Sequence, residues 1–260
     1  MSDWSRFERL TPFRVRDVLL VASHFDHYLL EESGYLAEIM RQEYSDLNLS
    51  QSPRIIHSPE ARDALRLLQA RDFDVVITMA RVGDMDVNAF GIEAKNICPG
   101  LPVMMLSHNT RELAGLSAGE GIDRIFVWTG DSRILLSICK LIEDEKNVEN
   151  DVRDGDVQVI LLVEDSRRFY SAYLPLLYTQ LVNQTTRLMG EGGNLHEKLL
   201  RLRARAKILL ASDMESAKSI INRYQKNLIG VFTDGRFPNE GGNRDTAGLE
   251  LVRYAQQGHR

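Results

Sequence analysis

The residue types best suited to chemistry in this chain are three carboxylates: Glu164 and Asp165, adjacent at the end of the apolar run "VILLV", and Asp234, directly after the run "LIGVFT". Apolar runs of five or six residues bounded by polar ones read as buried strands. In an open α/β sheet the carboxyl ends of the strands open into the crevice where ligands bind. If these two strands are neighbours, as in the order 2-1-3-4-5, the three carboxylates meet there. Like charges at that separation raise one another's pKa values, and a divalent cation removes the conflict. An all-oxygen set of this kind suits Mg²⁺. A carboxylate beside such a cation is a competent nucleophile toward a phosphoryl group and forms an aspartyl phosphate. The metal neutralises charge on the transferring group, so the protein has mainly to position the reactants.

The elements that must position these groups alternate along the whole chain. Short apolar runs at 18–21, 54–57, 74–79, 101–107 and 123–128 read as five strands, separated by helical patterns at 25–44, 59–71 and 87–97 and followed by one at 131–144. Strands alternating with amphipathic helices are the signature of a parallel sheet covered on both faces. The acidic stretch "IEDEKNVENDVRDGD" then reads as a linker too charged to pack. Beyond it the alternation restarts, with strands at 159–163, 207–211 and 228–233. Helical segments are expected from near 167, with Pro175 forcing a kink or a late start, and at 195–203, 214–224 and 246–256. The result is an internal repeat: residues 1–148 as one domain, 149–157 as a charged linker, and 158–260 as a second, partial domain.

The motifs "LLVEDS" and "GVFTDGRFP", with a helix begun by "DTAGLELV", resemble the receiver domain of two-component response regulators. The resemblance covers nearly the whole chain as two tandem copies. It implies two flavodoxin-like, doubly wound parallel-sheet domains, the second ending after strand three and its helix. It nominates Asp234 as phosphoacceptor, and Glu164, Asp165, Asp234 and the backbone carbonyl of Arg236 as Mg²⁺ ligands. It also implies a non-enzymatic regulator in a phosphorelay, fed by a sensor histidine kinase or a phosphotransfer protein. The family places a Ser or Thr at the end of strand four and a Lys at the end of strand five. The second copy reaches Arg260 before either strand, so the expectation is a fragment of a longer protein, or an apolar outer edge on strand three covered by another chain.

The first copy keeps the layout and loses the chemistry. Ala22 and Ser23 stand where the acidic pair would be, Met79 replaces the phosphoacceptor, and Trp128 holds the Lys position, while Ser107 could serve as the Ser/Thr. The turn "GDMD" at 83–86 still resembles the one after strand three. This copy reads as a pseudo-receiver that serves interaction or dimerisation. The alternative for the whole chain is a phosphorylation-independent scaffold regulating an attached or partner enzyme. The segments "DRIFVWTGD" and "LLYTQLVNQT" are also similar to the regulatory region preceding phosphoenolpyruvate synthase/pyruvate phosphate dikinase-like catalytic segments.

Composition narrows the alternatives. A net charge of −5 over 260 residues supplies no global field for nucleic acid or anionic membrane. No apolar stretch has the length of a membrane span, and "MSDWSRFERL" lacks a signal-peptide core, so the expected location is cytoplasmic. Cys98 and Cys139 are expected as buried fillers. His24 and His27 are expected as a solvent-facing pair, "RLRARAK" (201–207) as a solvated helix end, and "GEGGN" (190–194) as a hinge. Phe169, Tyr170, Tyr173 and Tyr178 are expected in a core or interface. A haloacid-dehalogenase-type phosphotransferase would want a DxD motif where this chain has "EDS", and no helix-turn-helix segment follows either copy.

Overall fold

The computed structural model describes residues 9–32, 53–108, 118–131, 133–188, 204–240 and 244–257. The helix expected beyond residue 32, the 190–194 loop and the helical piece at 195–203 lie outside them. Two compact units are present: Arg14–Ile142 as one, and the segment through Phe13 joined to Glu143 onward as the other.

In the first unit β1 (Asp17–Val21), β2 (Arg54–Ser58), β3 (Val75–Met79), β4 (Val103–Ser107) and β5 (Arg124–Val127) form one parallel sheet in the order β2-β1-β3-β4-β5. This is the flavodoxin-like doubly wound order, with its switch point between β1 and β3. Side-chain alternation along each strand sorts the core into two layers. Leu19, Val21, Val76, Val103 and Met105 pack against α2 (Ala61–Ala70) and α3 (Val87–Ile97) through Ala64, Leu68, Phe90 and Ala94. On the other face, Val18, Leu20 and Ile77 surround one small gap with Leu135 and Cys139 of α4 (Arg133–Gly155). Helix α1 (His24–Glu32) follows β1. Cys139 is buried, as expected of a filler, whereas Cys98 is only half-buried; neither forms a disulfide.

The second unit holds β6 (Val159–Val163), β7 (Lys207–Ala211) and β8 (Leu228–Thr233), parallel in the order β7-β6-β8. Val159, Leu161 and Val163 pack with Leu209 and Ala211 against α6 (Met214–Tyr224) and α7 (Ala247–Gln257), through Ala217, Ile221, Ala247 and Leu251. Helix α5 (Arg167–Leu188) starts at Arg167 and contains Pro175, so no late start occurs. Tyr170, Leu174 and Tyr178 form a buried i, i+4, i+8 stripe on either side of the proline, and that burial offsets the missing N–H. Phe169 and Tyr173 are instead half-exposed and stack on each other, with ring centroids 6.1 Å apart.

Two expectations about charge are overturned. The acidic run read as an unpacked linker is helix as far as Gly155, and Glu143, Asp144, Asn147 and Asp151 within it are buried. Nor are the described cations of "RLRARAK" solvated, since Lys207 is buried and the Arg205 side chain is only 9% exposed. The two errors share one cause. Arg205 meets Asp144 with both terminal nitrogens, at 2.9 and 2.8 Å, and Lys207 lies 2.8 Å from Asp151. Buried charge is tolerated where it is paired and hydrogen-bonded. Asp144 also accepts from Tyr178 Oη and from the backbone N–H of Ile208, so it covers a donor on the edge strand β7. The same helix ties down the N-terminal segment through Thr11 N–H to Asp151 and Phe13 N–H to Asn147. The opposite edge strand, β8, pairs with β6 alone among the described residues, and Ile229 and Phe232 on it are exposed.

Candidate metal and phosphoacceptor site

Register places the acids. Val163, the last residue of the central strand β6, lies opposite Ala211 on one side and Thr233 on the other. The residues immediately after these strand ends therefore emerge together. The Glu164 N–H donates to Ala211 O at 3.0 Å, and the Asp234 N–H to Val163 O at 3.0 Å. Carboxylate oxygens of Glu164, Asp165 and Asp234 lie within 4.8 Å of one another. This is the convergence that the sequence spacing predicts, and it follows from the strand order.

The three groups differ in environment. Glu164 is buried and accepts from the Ser166 N–H at 2.9 Å; Asp165 is half-buried and Asp234 exposed. Burial is the main force pushing the Glu164 pKa up, with Asp234 and Asp165 adding like-charge repulsion against the Ser166 hydrogen bond. The site therefore carries the electrostatic conflict expected of an acidic cluster. Oxygen donors of one charge sign, one buried and two reaching solvent, fit a hard divalent cation.

The loop after β8 is anchored on both sides. Phe237 is fully buried, and the Pro238 carbonyl accepts from the Met214 N–H at the start of α6. Gly248, in the first turn of α7, lies so close to the Asp234–Gly235 backbone that a Cβ there would sit 2.3 Å from Asp234 O. Its N–H donates to Gly235 O at 3.2 Å. The Gly235 N–H in turn donates to Asp234 Oδ1 at 2.7 Å and orients the carboxylate. Arg236, nominated for its carbonyl, is exposed, with its guanidinium 3.4 Å from Asp245. One participant was missed by the sequence reading: Arg244, in the 3₁₀ turn Arg244–Thr246 ahead of α7, places Nη2 2.5 Å from Asp165 Oδ2. The two are far apart in sequence and share no motif, so no local signal marks the pair.

The corresponding crevice of the first unit holds no such cluster among the described residues. Ala22, Met79, Ser107 and Trp128 are buried. Ser23 Oγ donates to Asp26 and accepts the Asp26 N–H, closing the first turn of α1. Asp26 also meets His108 Nε2 at 2.7 Å, and the His108 ring lies 5.2 Å from that of Trp128. Trp128 Nε1 has no hydrogen-bond partner among the described residues. The "GDMD" turn serves helix starts: Asp84 accepts from Ala61 and Arg62 N–H, and Asp86 caps α3. His27 is not merely solvent-facing. Its ring stacks on His57 at 4.0 Å, while His57 Nε2 lies 2.7 Å from Ala22 O.

No protein-family model and no curated protein matches the chain. Among solved structures it is similar to the signal receiver domain of an HD domain-containing protein from Pseudomonas fluorescens Pf-5. The identity is 20% and the TM-score 0.36, covering 54% of this chain and 94% of that one. It is also similar to a response regulator protein from Burkholderia pseudomallei, determined with a phosphorylated aspartic acid, a calcium ion and citrate, at 11% identity and TM-score 0.36. That match covers 73% of this chain and 95% of the other. A third is a redox sensor of the streptococci evolved from two-component response regulators, at 15% identity and TM-score 0.37, covering 52% of this chain and 54% of that one. Among the described residues no helix is long and apolar enough to cross a membrane.

Proposed function

We propose that the second unit is a phosphoryl-accepting receiver in a phosphorelay. The observation that carries this reading is the meeting of Glu164, Asp165 and Asp234 within 4.8 Å at the carboxyl end of a parallel sheet. In this reading Glu164, Asp165, Asp234 and the Arg236 carbonyl would hold Mg²⁺, which would supply neutralisation of the phosphoryl oxygens and of the acid cluster. Asp234, exposed and held by the Gly235 N–H, presents an oxygen to phosphorus. The P–N bond of a phosphohistidine donor breaks, an acyl phosphate forms, and the histidine leaves with the bond's electron pair. Glu164 and Asp165 undergo no covalent change and would remain to hold the cation. The added charge on Asp234 then acts on the loop packed beneath Gly248, so that phosphorylation biases the position of α7. The first unit, with no such acid triad among its described residues, is an interaction or dimerisation module; the chain is a regulator and no enzyme in its own right, working in the cytoplasm.

The test is incubation with acetyl phosphate and Mg²⁺ followed by intact-mass measurement. One added phosphoryl group, abolished by Asp234→Asn and by omission of Mg²⁺, is the expected result. No added mass at any Mg²⁺ concentration, in the 260-residue chain and in any longer natural form, removes the reading. A second reading, a phosphorylation-independent scaffold, draws on the first unit, whose fold persists with Met79 and Trp128 in place of reactive groups. It predicts partner binding that Asp234→Ala leaves unchanged.

A further inference from the structure

A cation already sits at the acid cluster, and it belongs to the chain. Arg244 Nη2 is 2.5 Å from Asp165 Oδ2, a charge-assisted contact with Asp165 mostly shielded and Arg244 mostly exposed. The turn that carries Arg244 is fastened to the phosphoacceptor strand. Gly248 packs on the Asp234 carbonyl and donates to Gly235 O. Glu250 then accepts from Thr246 Oγ1 at 2.6 Å and from Asn239 Nδ2 at 3.0 Å, joining the start of α7 to the loop after β8. The neighbouring Arg236 faces Asp245 instead. Arg244 thus brings a guanidinium to the acid pair.

We propose that Arg244 is an internal counter-cation that holds Asp165 until a divalent cation takes that carboxylate. This rests on the metal-site reading of Glu164, Asp165 and Asp234. A guanidinium and a doubly charged ion on one partly shielded carboxylate repel each other, so binding of the ion must displace Arg244 or weaken its contact. Arg244 is then a positioning residue: it keeps Asp165 aimed into the crevice, reduces repulsion within the triad, and sets how much cation is needed to fill the site.

The test is isothermal titration calorimetry of the 260-residue chain with MgCl₂, comparing wild type, Arg244→Gln and Arg244→Lys, with urea midpoints measured in EDTA as the folding control. An exposed ion pair is modest in strength, so Arg244→Gln is expected to bind Mg²⁺ about two- to fivefold more tightly than wild type. Arg244→Lys, which keeps the charge, stays close to wild type. Equal or weaker binding by Arg244→Gln overturns the inference and leaves the metal site standing. Equal tightening by both variants also overturns it, because charge would not be the cause. Absence of Mg²⁺ binding in wild type and in both variants overturns the metal-site reading itself, and this inference with it.

Discussion

Replacing Asp144 by Asn tests the account of how a charged segment becomes part of a core. Asp144 is fully buried and accepts four hydrogen bonds: two from Arg205, one from Tyr178 Oη and one from the Ile208 N–H. In direct ion-pair contact, Asp144 and Asp151 face Arg205 and Lys207. Asparagine preserves the shape but leaves one buried positive charge uncompensated, and turns one acceptor arm into a donor that faces other donors. Removing one partner of a buried pair costs about 3–5 kcal/mol, a large share of the roughly 5–15 kcal/mol that holds a domain folded. Urea unfolding followed by circular dichroism should show the second unit melting first, and the Ile208 amide should lose hydrogen-exchange protection. The double variant Asp144→Asn/Arg205→Met removes both charges and should recover most of the loss, because an ion pair replaced as a unit is often neutral in stability. A loss below about 1 kcal/mol for Asp144→Asn, or no recovery in the double variant, would refute the argument that pairing permits this burial.

Three further outcomes follow from the two crevices. Gly248→Ala places a methyl against the Asp234 carbonyl; a cost of about 1–3 kcal/mol is expected from overpacking, with weaker Mg²⁺ binding by calorimetry, and unchanged affinity would mean that the strain escapes away from Asp234. Glu164 has a raised folded-state pKa, chiefly from burial, so folding favours its protonated form. The penalty is fully present above that raised value and fades as pH falls toward 4.5. Glu164→Gln should therefore have a higher urea midpoint than wild type at neutral pH in EDTA, a difference that shrinks on acidification and reverses when Mg²⁺ is added. His27 is the opposite case: burial first, and then the facing His57, lower its pKa. Its neutral form is favoured in the fold, with Glu31 pulling the other way, so the first unit keeps this stability above 6.5 and loses it as pH falls through the depressed value. In an NMR titration the His27 ring should titrate below 6.5 and move upward in His57→Gln; no movement would detach the shift from the stack.

How much was legible in advance depended on how local each signal is. The strands were readable because a buried parallel strand writes itself as an uninterrupted apolar run, and "VILLV", "KILLA" and "LIGVFT" appear as β6, β7 and β8 at the expected places. The meeting of the three acids was readable because strand order turns positions along the chain into neighbours in space. The acidic run and "RLRARAK" were misread because charge reads as solvent exposure until its partner is known. Asp144 finds Arg205, and Asp151 finds Lys207, only after the helix and β7 are packed together.

By itself, then, the sequence determined the alternation of strands and helices, the repeat, and the identity of the acids that end β6 and β8. It also determined that the first copy, with Ala22, Ser23 and Met79, offers no such set. Tertiary structure alone decided which charges are buried, that Arg244 reaches Asp165, and that His27 lies against His57. Hydrophobic periodicity is a property of neighbouring residues and survives in one dimension. Electrostatic pairing depends on distances between residues remote in sequence, and those exist only once the chain has folded.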